Sequence, residues 1–132
     1  MNPYARPQAY REASVMTASP EQLVVMLYDG AGRFLRQAEG AMNGGGTWLQ
    51  ASQKLSRAEA IIDELLATLD MDAGDIAERL QAIYVFCKTR LIEARLERDP
   101  GRVDQVARLL AELRDAWATI EPPAATGSAP LA

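Results

Sequence analysis

The residue types that enzymes use for acid–base and nucleophilic chemistry are scarce in this sequence. It contains no histidine, which excludes Ser-His-Asp hydrolysis, Cys-His proteolysis and histidine-ligated metal sites. The single cysteine, Cys87, has no cysteine partner for a disulfide or a thiolate metal cluster. It lies in an apolar run with Val85 and Phe86, which is typical of a small core residue.

Carboxylates and glycines form the only other clusters of residues that could bind a metal ion or a phosphate. The trio Asp70, Asp72 and Asp75 lacks the register and the distal glutamate of a calcium loop, and its spacing favours helix capping instead. The glycine run 44–46 lacks the Lys-Ser/Thr pair that follows a phosphate-binding loop. The sequence therefore predicts no enzyme activity, no bound metal and no cofactor.

Charge and hydropathy exclude two further classes. The chain of 132 residues carries 14 Lys+Arg against 18 Asp+Glu, a formal net charge of −4, and has no block of basic residues of the kind that binds nucleic acid. The longest apolar run, 23–28, is far shorter than the roughly 20 residues that span a bilayer. Nothing in the N-terminal residues of this sequence has a charged start followed by a long apolar stretch, the pattern of a signal peptide. We expect no nucleic-acid partner, no direct membrane insertion and a location in the cytosol.

Four segments carry apolar residues at helical spacing. Ser19 followed by Pro20 and Gln22 predicts the first helix start, the run Asn43–Gly46 its end, and Thr47 the start of the second helix. The predicted core positions are Leu23, Leu27, Phe34 and Ala38, then Leu55, Ala58, Ile62, Leu65 and Leu69, then Ile76, Leu80, Ile83, Cys87, Leu91 and Ala94, then Val103, Val106, Leu110, Leu113, Trp117 and Ile120.

Long helices with short connections predict the fold class: an all-α, antiparallel up-down four-helix bundle. We assign residues 19–120 to the bundle. Residues 1–18 are expected to form a mobile N-terminal arm, and residues 121–132, which follow the end of the fourth helix at Pro122-Pro123, a disordered C-terminal tail.

Some large apolar residues do not fit the core stripes. On helical geometry they point away from the core, on the first and third helices. These residues are Val25, Met26, Val85, Phe86, Ile92 and Leu96. One interpretation is that a neighbouring helix or the N-terminal arm covers them. The other is a groove for another chain, most naturally an amphipathic helix.

Specific stretches of the chain resemble the flagellar secretion chaperone FliS family. The segment Val15–Ala31 looks like its N-terminal signature, and the segments at 61–70, 76–84 and 109–117 agree in order and spacing. The resemblance covers roughly residues 10–120. At 73–75 the chain has Ala-Gly-Asp where the family commonly has Gly-Gly-Glu, a difference confined to a turn.

The resemblance implies a four-helix bundle that binds the C-terminal segment of flagellin. FliS-like proteins hold this otherwise disordered segment in the cytosol, prevent premature polymerisation, and present it to the cytoplasmic domain of the type III export gate protein FlhA. No ATP or metal takes part. Such a client fits the leftover apolar residues, because coupled folding and binding needs exposed apolar surface.

The resemblance also implies residue roles. Tyr10 matches the arm tyrosine implicated in docking to the export gate, Gly30 is expected to permit close helix packing, and Trp117 is expected in the core. The six outward apolar residues above are the candidates for client binding. Two alternatives stay open: a regulatory adaptor or co-chaperone of the same fold that binds another late flagellar protein, and a homodimer that forms when no client is bound.

Overall fold

The computed structural model describes the backbone of residues 18–128 and the side chains of residues 18–119. Four helices account for most of this part of the chain: α1 at Pro20–Gly40, α2 at Trp48–Ala67, α3 at Asp75–Glu97 and α4 at Pro100–Ser128. No strand occurs among these residues. The predicted all-α class is confirmed.

Local hydrogen bonds start the first two helices where the sequence predicts. The Ser19 hydroxyl accepts the Gln22 N–H at 3.1 Å, and the Gln22 side chain accepts the Ser19 N–H at 2.8 Å. Thr47 and Gln50 repeat the arrangement ahead of α2, at 3.1 and 2.9 Å. Each reciprocal pair satisfies backbone N–H groups that otherwise have no partner in the first turn.

Glycines make the turn between α1 and α2. After α1 the chain makes one wide turn at Ala41–Gly45, in which Gly44 has φ of +102°, a conformation that side chains with a Cβ rarely adopt. A Cβ on Gly45 would lie 2.8 Å from the carbonyl oxygen of Gly40. The glycine run therefore allows the chain to reverse direction between α1 and α2.

Ion pairs between helices show the direction of each neighbour. Arg36 pairs with Asp104 at 2.6 Å and Arg114 with Asp29 at 2.9 Å, so α1 and α4 run antiparallel. Arg95 pairs with Glu59 at 2.8 Å and Lys88 with Asp63, so α2 and α3 do the same. Both α1 and α3 pack on α2 and α4, which places α1 and α3 at diagonal corners of the bundle. The up-down antiparallel topology is confirmed.

One apolar core runs through the four helices. A Cβ on Gly30 would lie 3.2 Å from Cδ1 of Ile61, so α1 and α2 approach closely there, as predicted. The buried residues are Leu23, Leu27, Tyr28, Ala31, Leu35 and Ala38 of α1, Ala51, Leu55, Ala58, Ile62 and Leu65 of α2, Ala77, Leu80, Tyr84, Cys87, Leu91 and Ala94 of α3, and Val103, Val106, Ala107 and Leu110 of α4.

Most predicted core positions of α1 and α3 are buried, and the prediction is wrong at three single positions. Tyr28 and Tyr84 are buried, whereas the predicted core residues Phe34 and Ile83 are half-buried and Ile76 is exposed. The two tyrosine hydroxyls are hydrogen-bonded to each other across the diagonal, with ring centroids 6.3 Å apart. This bond compensates the cost of burying the hydroxyls, so the aromatic rings can enter the core.

The segment after α2 and the last turns of α4 also depart from the prediction. Leu69, Leu113 and Trp117 pack against the core but are only half-buried, and the side chain of Ile120 lies outside the described residues. The backbone of α4 is helical to Ser128, beyond Pro122-Pro123, where the sequence predicts its end. The fixed φ of proline is compatible with a helix, although each proline removes one intrahelical hydrogen bond and its ring crowds the carbonyl four residues earlier. That residues 121–132 form a disordered tail stays a prediction.

Replacing a large side chain by alanine is expected to lower the free energy of unfolding much more in the core than on the outer face of the bundle. Leu110→Ala removes a fully buried side chain and should lower the free energy of unfolding by about 2–5 kcal/mol. Ile92→Ala should change it by no more than about 0.5 kcal/mol, because Ile92 is on the surface. Urea denaturation measures both values. Equal losses would show that Ile92 belongs to the core.

The tyrosine pair is expected to behave as a coupled unit. Tyr28→Phe and Tyr84→Phe should each lower the free energy of unfolding by about 1 kcal/mol, because each removes the hydrogen bond between the buried hydroxyls. The double variant should lose clearly less than the sum of the two single losses. Denaturant titration of the four proteins completes the cycle, and strictly additive losses would contradict the coupling.

Candidate functional site

Three of the predicted binding residues lie on one side of α3. Val85, Ile92 and Leu96 are 51%, 53% and 79% exposed and recur at intervals of seven and four residues, so they lie along one side of the helix. We call these three residues the apolar strip. Large apolar side chains aligned in this way on a solvent face are typical of a protein-binding surface.

The strip borders the groove between α3 and α2. Arg95 lies one residue before Leu96 and donates hydrogen bonds to the Ser52 hydroxyl at 2.6 Å and to Glu59 at 2.8 Å, both on α2. Lys88, in the middle of the strip, reaches Asp63 of α2. Charged and polar pairs thus line the edge of an apolar surface, which is the usual anatomy of an interface.

Phe86 lies on the other side of α3. Its ring is covered by the Arg90 guanidinium at 5.1 Å, and Arg90 pairs with Glu93 at 2.7 Å. Glu93 in turn pairs with Arg102 of α4 at 3.1 Å. Phe86 therefore belongs to the α3–α4 side of the bundle and does not adjoin the strip.

The two candidates on α1 are remote from the strip. Met26 is 42% exposed and Val25 is half-buried. Consecutive residues on a helix point about 100° apart, so the two side chains face different neighbours. Because α1 and α3 occupy diagonal corners, the six candidates do not converge on one groove. Tyr10, the candidate for docking to the export gate, lies outside the described residues.

Leu49 is an exposed residue that the sequence reasoning missed. It is 65% exposed in the first turn of α2. This turn lies at the same end of the bundle as Leu96, since the Arg98 guanidinium stacks on the Trp48 ring at 4.5 Å. The sequence feature that could have identified Leu49 is an outward-facing leucine in the first turn of a helix. Its position near the end of the strip follows only from the antiparallel pairing of α2 and α3.

The groups that could support catalysis or metal binding are few among the described residues. No group of three or more His, Cys, Asp or Glu side chains within 18–119 could hold a metal ion. Asp70 instead caps the short turn Met71–Ala73 by accepting the Asp72 N–H at 3.0 Å. Cys87 is buried, and the loss of solvation raises the pKa of its thiol to about 11. None of the described helices is long and apolar enough to cross a membrane.

This combination defines an all-α helical bundle with exposed apolar side chains of the kind that is typical of protein-binding surfaces. Comparison with known proteins identifies its relatives. The family described as "Flagellar protein FliS" matches residues 1–124. The flagellar secretion chaperone FliS of Salmonella typhimurium is 38% identical over 115 residues, which cover 86% of this chain and 84% of that protein.

Two further relatives carry the same description. The flagellar secretion chaperones FliS of Vibrio cholerae and Bacillus subtilis are 36% and 34% identical, over 87% and 88% of this chain and 88% and 84% of their own lengths. The chain belongs to the FliS family of flagellar secretion chaperones. Membership of a chaperone family implies client proteins as partners and a non-enzymatic role.

The buried thiol is expected to destabilise the bundle at high pH. Its pKa in the folded protein, about 11, lies above its ordinary value near 9.0, so the folded state holds the proton more tightly than the unfolded state. The stabilisation is therefore complete below about pH 9 and is lost as the pH rises through 11. Urea denaturation between these limits should show a steeper loss for the wild type than for Cys87→Ala. Parallel curves for the two proteins would contradict a buried neutral thiol.

Proposed function

We propose that this chain is a cytosolic export chaperone that binds the C-terminal segment of flagellin on the apolar strip, keeps it from polymerising and delivers it to the export gate. The observation that carries the proposal is the strip itself: Val85, Ile92 and Leu96, exposed on one side of α3. Family membership supports the flagellar client.

The dimensions of the strip suit a short helical client. Val85 and Leu96 are eleven residues apart, which corresponds to about 16 Å or three helical turns. An amphipathic helix of similar length can place its apolar face on this surface and cover it from water. Leu49, at the end of the strip that carries Leu96, lengthens the surface available to the client.

The energetics suit a client that must later be released. A segment that is disordered on its own loses conformational entropy when it becomes ordered on the chaperone, and burial of apolar surface offsets this cost. The strip is confined to a few half-exposed side chains, while the core beneath it is complete without a client. The chaperone can therefore bind and release its client without unfolding.

Delivery requires a second contact, with the cytoplasmic domain of the export gate protein FlhA. We assign this contact to Tyr10 in the N-terminal segment, on the strength of its match to the family's arm tyrosine. The client and gate contacts are then made by different parts of the chain, so a client can stay bound during docking.

The proposal predicts that one acidic substitution in the strip abolishes client binding. Ile92→Asp places a charge in the centre of the apolar contact, where it would lose its hydration without gaining a partner. Isothermal titration with a peptide of the last ~40 residues of the host flagellin should give a 1:1 complex with a negative heat-capacity change for the wild type. For Ile92→Asp the affinity should fall at least about a hundredfold.

Two variants serve as controls. Ile76→Asp makes the same change on an exposed isoleucine near the opposite end of α3, and Tyr10→Ala alters the segment assigned to the gate. Both should bind the flagellin peptide as the wild type does. Unchanged binding by Ile92→Asp would exclude the strip as the client site. Failure of the wild type to bind would favour an adaptor for another late flagellar protein.

A further inference from the structure

A second surface, on the opposite side of α2, is basic. The Phe34 ring of α1 is flanked by two cations of α2, with Lys54 Nζ 5.6 Å and Arg57 Cζ 5.7 Å from the ring centroid. Arg33 lies beside them: its Nη2 is 3.9 Å, and Cδ1 of Ile61 3.2 Å, from the position that a Cβ on Gly30 would occupy. We call Arg33, Lys54 and Arg57, together with Phe34 and Ile61, the basic groove.

The cations of this groove lack carboxylate partners. Arg33, Lys54 and Arg57 form no ion pair within the part of the chain that the structure describes. On the other faces of the bundle, basic side chains such as Arg36, Arg95 and Arg114 are paired. Three adjacent unpaired cations on a chain with a net charge of −4 form a local positive potential that an acidic ligand would neutralise.

The shape of the surface beside these cations also favours a bound ligand. Next to Lys54 and Arg57 lies an open depression of about 560 Å³ on the outer face of α2. Its remaining lining is small or polar, namely Ser52, Gln53, Ser56 and Ala60. Lys54 and Arg57 are the groups there that suit a carboxylate, since the Ser52 and Ser56 hydroxyls already accept hydrogen bonds from Arg95 of α3. Phe34 and Ile61 are half-buried and offer an apolar floor in the groove beside it.

We propose that the basic groove docks an acidic amphipathic helix of a partner protein other than the client. Carboxylates on that helix would pair with Arg33, Lys54 and Arg57, and its apolar residues would pack on Phe34 and Ile61. The N-terminal segment of this chain does not fit the groove, because residues 1–17 carry two arginines and a single carboxylate. An acidic helix matches both the charge and the apolar floor.

This site goes beyond the proposed function because it lies on the other side of α2 from the apolar strip. The side chains of α2 that face the strip, Ser52, Glu59 and Asp63, are bonded to α3, whereas Lys54, Arg57 and Ile61 face α1. The five residues of the basic groove are none of those that make up the strip, so the acidic partner and the flagellin segment would contact different residues.

The test uses fluorescence anisotropy with the full chain and a designed peptide. The probe is a labelled amphipathic helix of about 20 residues, long enough to follow α1 and α2, with glutamates on one face and leucines on the other. A second peptide carries lysine in place of every glutamate, and a short RNA duplex serves as a phosphate-rich alternative. The variants are Arg57→Gln, the triple Arg33→Gln/Lys54→Gln/Arg57→Gln, and the matched control Arg79→Gln, an exposed arginine on α3 that also lacks an ion pair.

The acidic peptide should bind the wild type and Arg79→Gln equally, bind Arg57→Gln more weakly, and bind the triple variant at least roughly tenfold more weakly. Added salt should weaken binding, and the lysine peptide should not bind. The triple variant should melt as a folded protein and keep its affinity for the flagellin peptide, which separates this site from the apolar strip.

Three outcomes would overturn the proposal. Equal affinity of the acidic peptide for the wild type and the triple variant would remove the groove from the interaction. Tighter binding of the RNA duplex than of the peptide would assign the cations to a nucleic-acid contact. A dimer in sedimentation that the triple variant abolishes, without peptide binding, would assign the groove to a second copy of this chain.

Discussion

The burial of Tyr28 and Tyr84, with their hydroxyls hydrogen-bonded to each other, is the main polar constraint on the core of the bundle. This hydrogen bond joins α1 and α3 across the diagonal, inside a core that is otherwise apolar among the described residues. A buried hydroxyl needs a hydrogen-bond partner, and each tyrosine meets part of this need through the other. Together with the other buried residues of α1 and α3, the pair sets which faces of these helices turn inward.

The side chains that α1 and α3 leave exposed follow from which faces of the two helices are buried. With Tyr84 and Cys87 turned inward, α3 buries a narrow row of residues and leaves Val85, Ile92 and Leu96 outside. With Tyr28 turned inward, Phe34 moves to the edge of the core, where Lys54 and Arg57 lie against its ring. The buried faces of α1 and α3, which include this pair, thus leave an apolar strip on one helix and a basic groove beside the other. A small export chaperone can in this way present two separate surfaces without a second domain.

Sequence reasoning succeeded where local interactions decide the structure. The first two helices begin at Ser19 and Thr47 because each cap bonds to the residue three positions later, an interaction visible in the sequence. The outward residues of α3 were also predictable. An exposed face spans about half of a helix, so errors at single core positions did not remove Val85, Ile92 or Leu96 from it.

Features that depend on distant residues could not be predicted. The burial of Tyr84 requires Tyr28, 56 residues earlier, and no periodicity reveals that pairing. The six candidates for client binding lie at different corners of the bundle, which can be seen only once the packing order of the helices is known. One helix alone does not show which neighbour lies beside Phe86 or Met26. Similarly, Lys54 and Arg57 read as ordinary solvated side chains until α1 brings Phe34 between them.

The most direct test of the central claim, that the α3 strip holds the client segment, is methyl NMR of the labelled chain titrated with the flagellin C-terminal peptide. The account predicts that the methyl signals of Val85, Ile92 and Leu96 shift on binding, while those of the buried Ile62 and of Met26 at the diagonal corner change little. Shifts confined to Met26 and Val25, with the α3 signals unmoved, would contradict it.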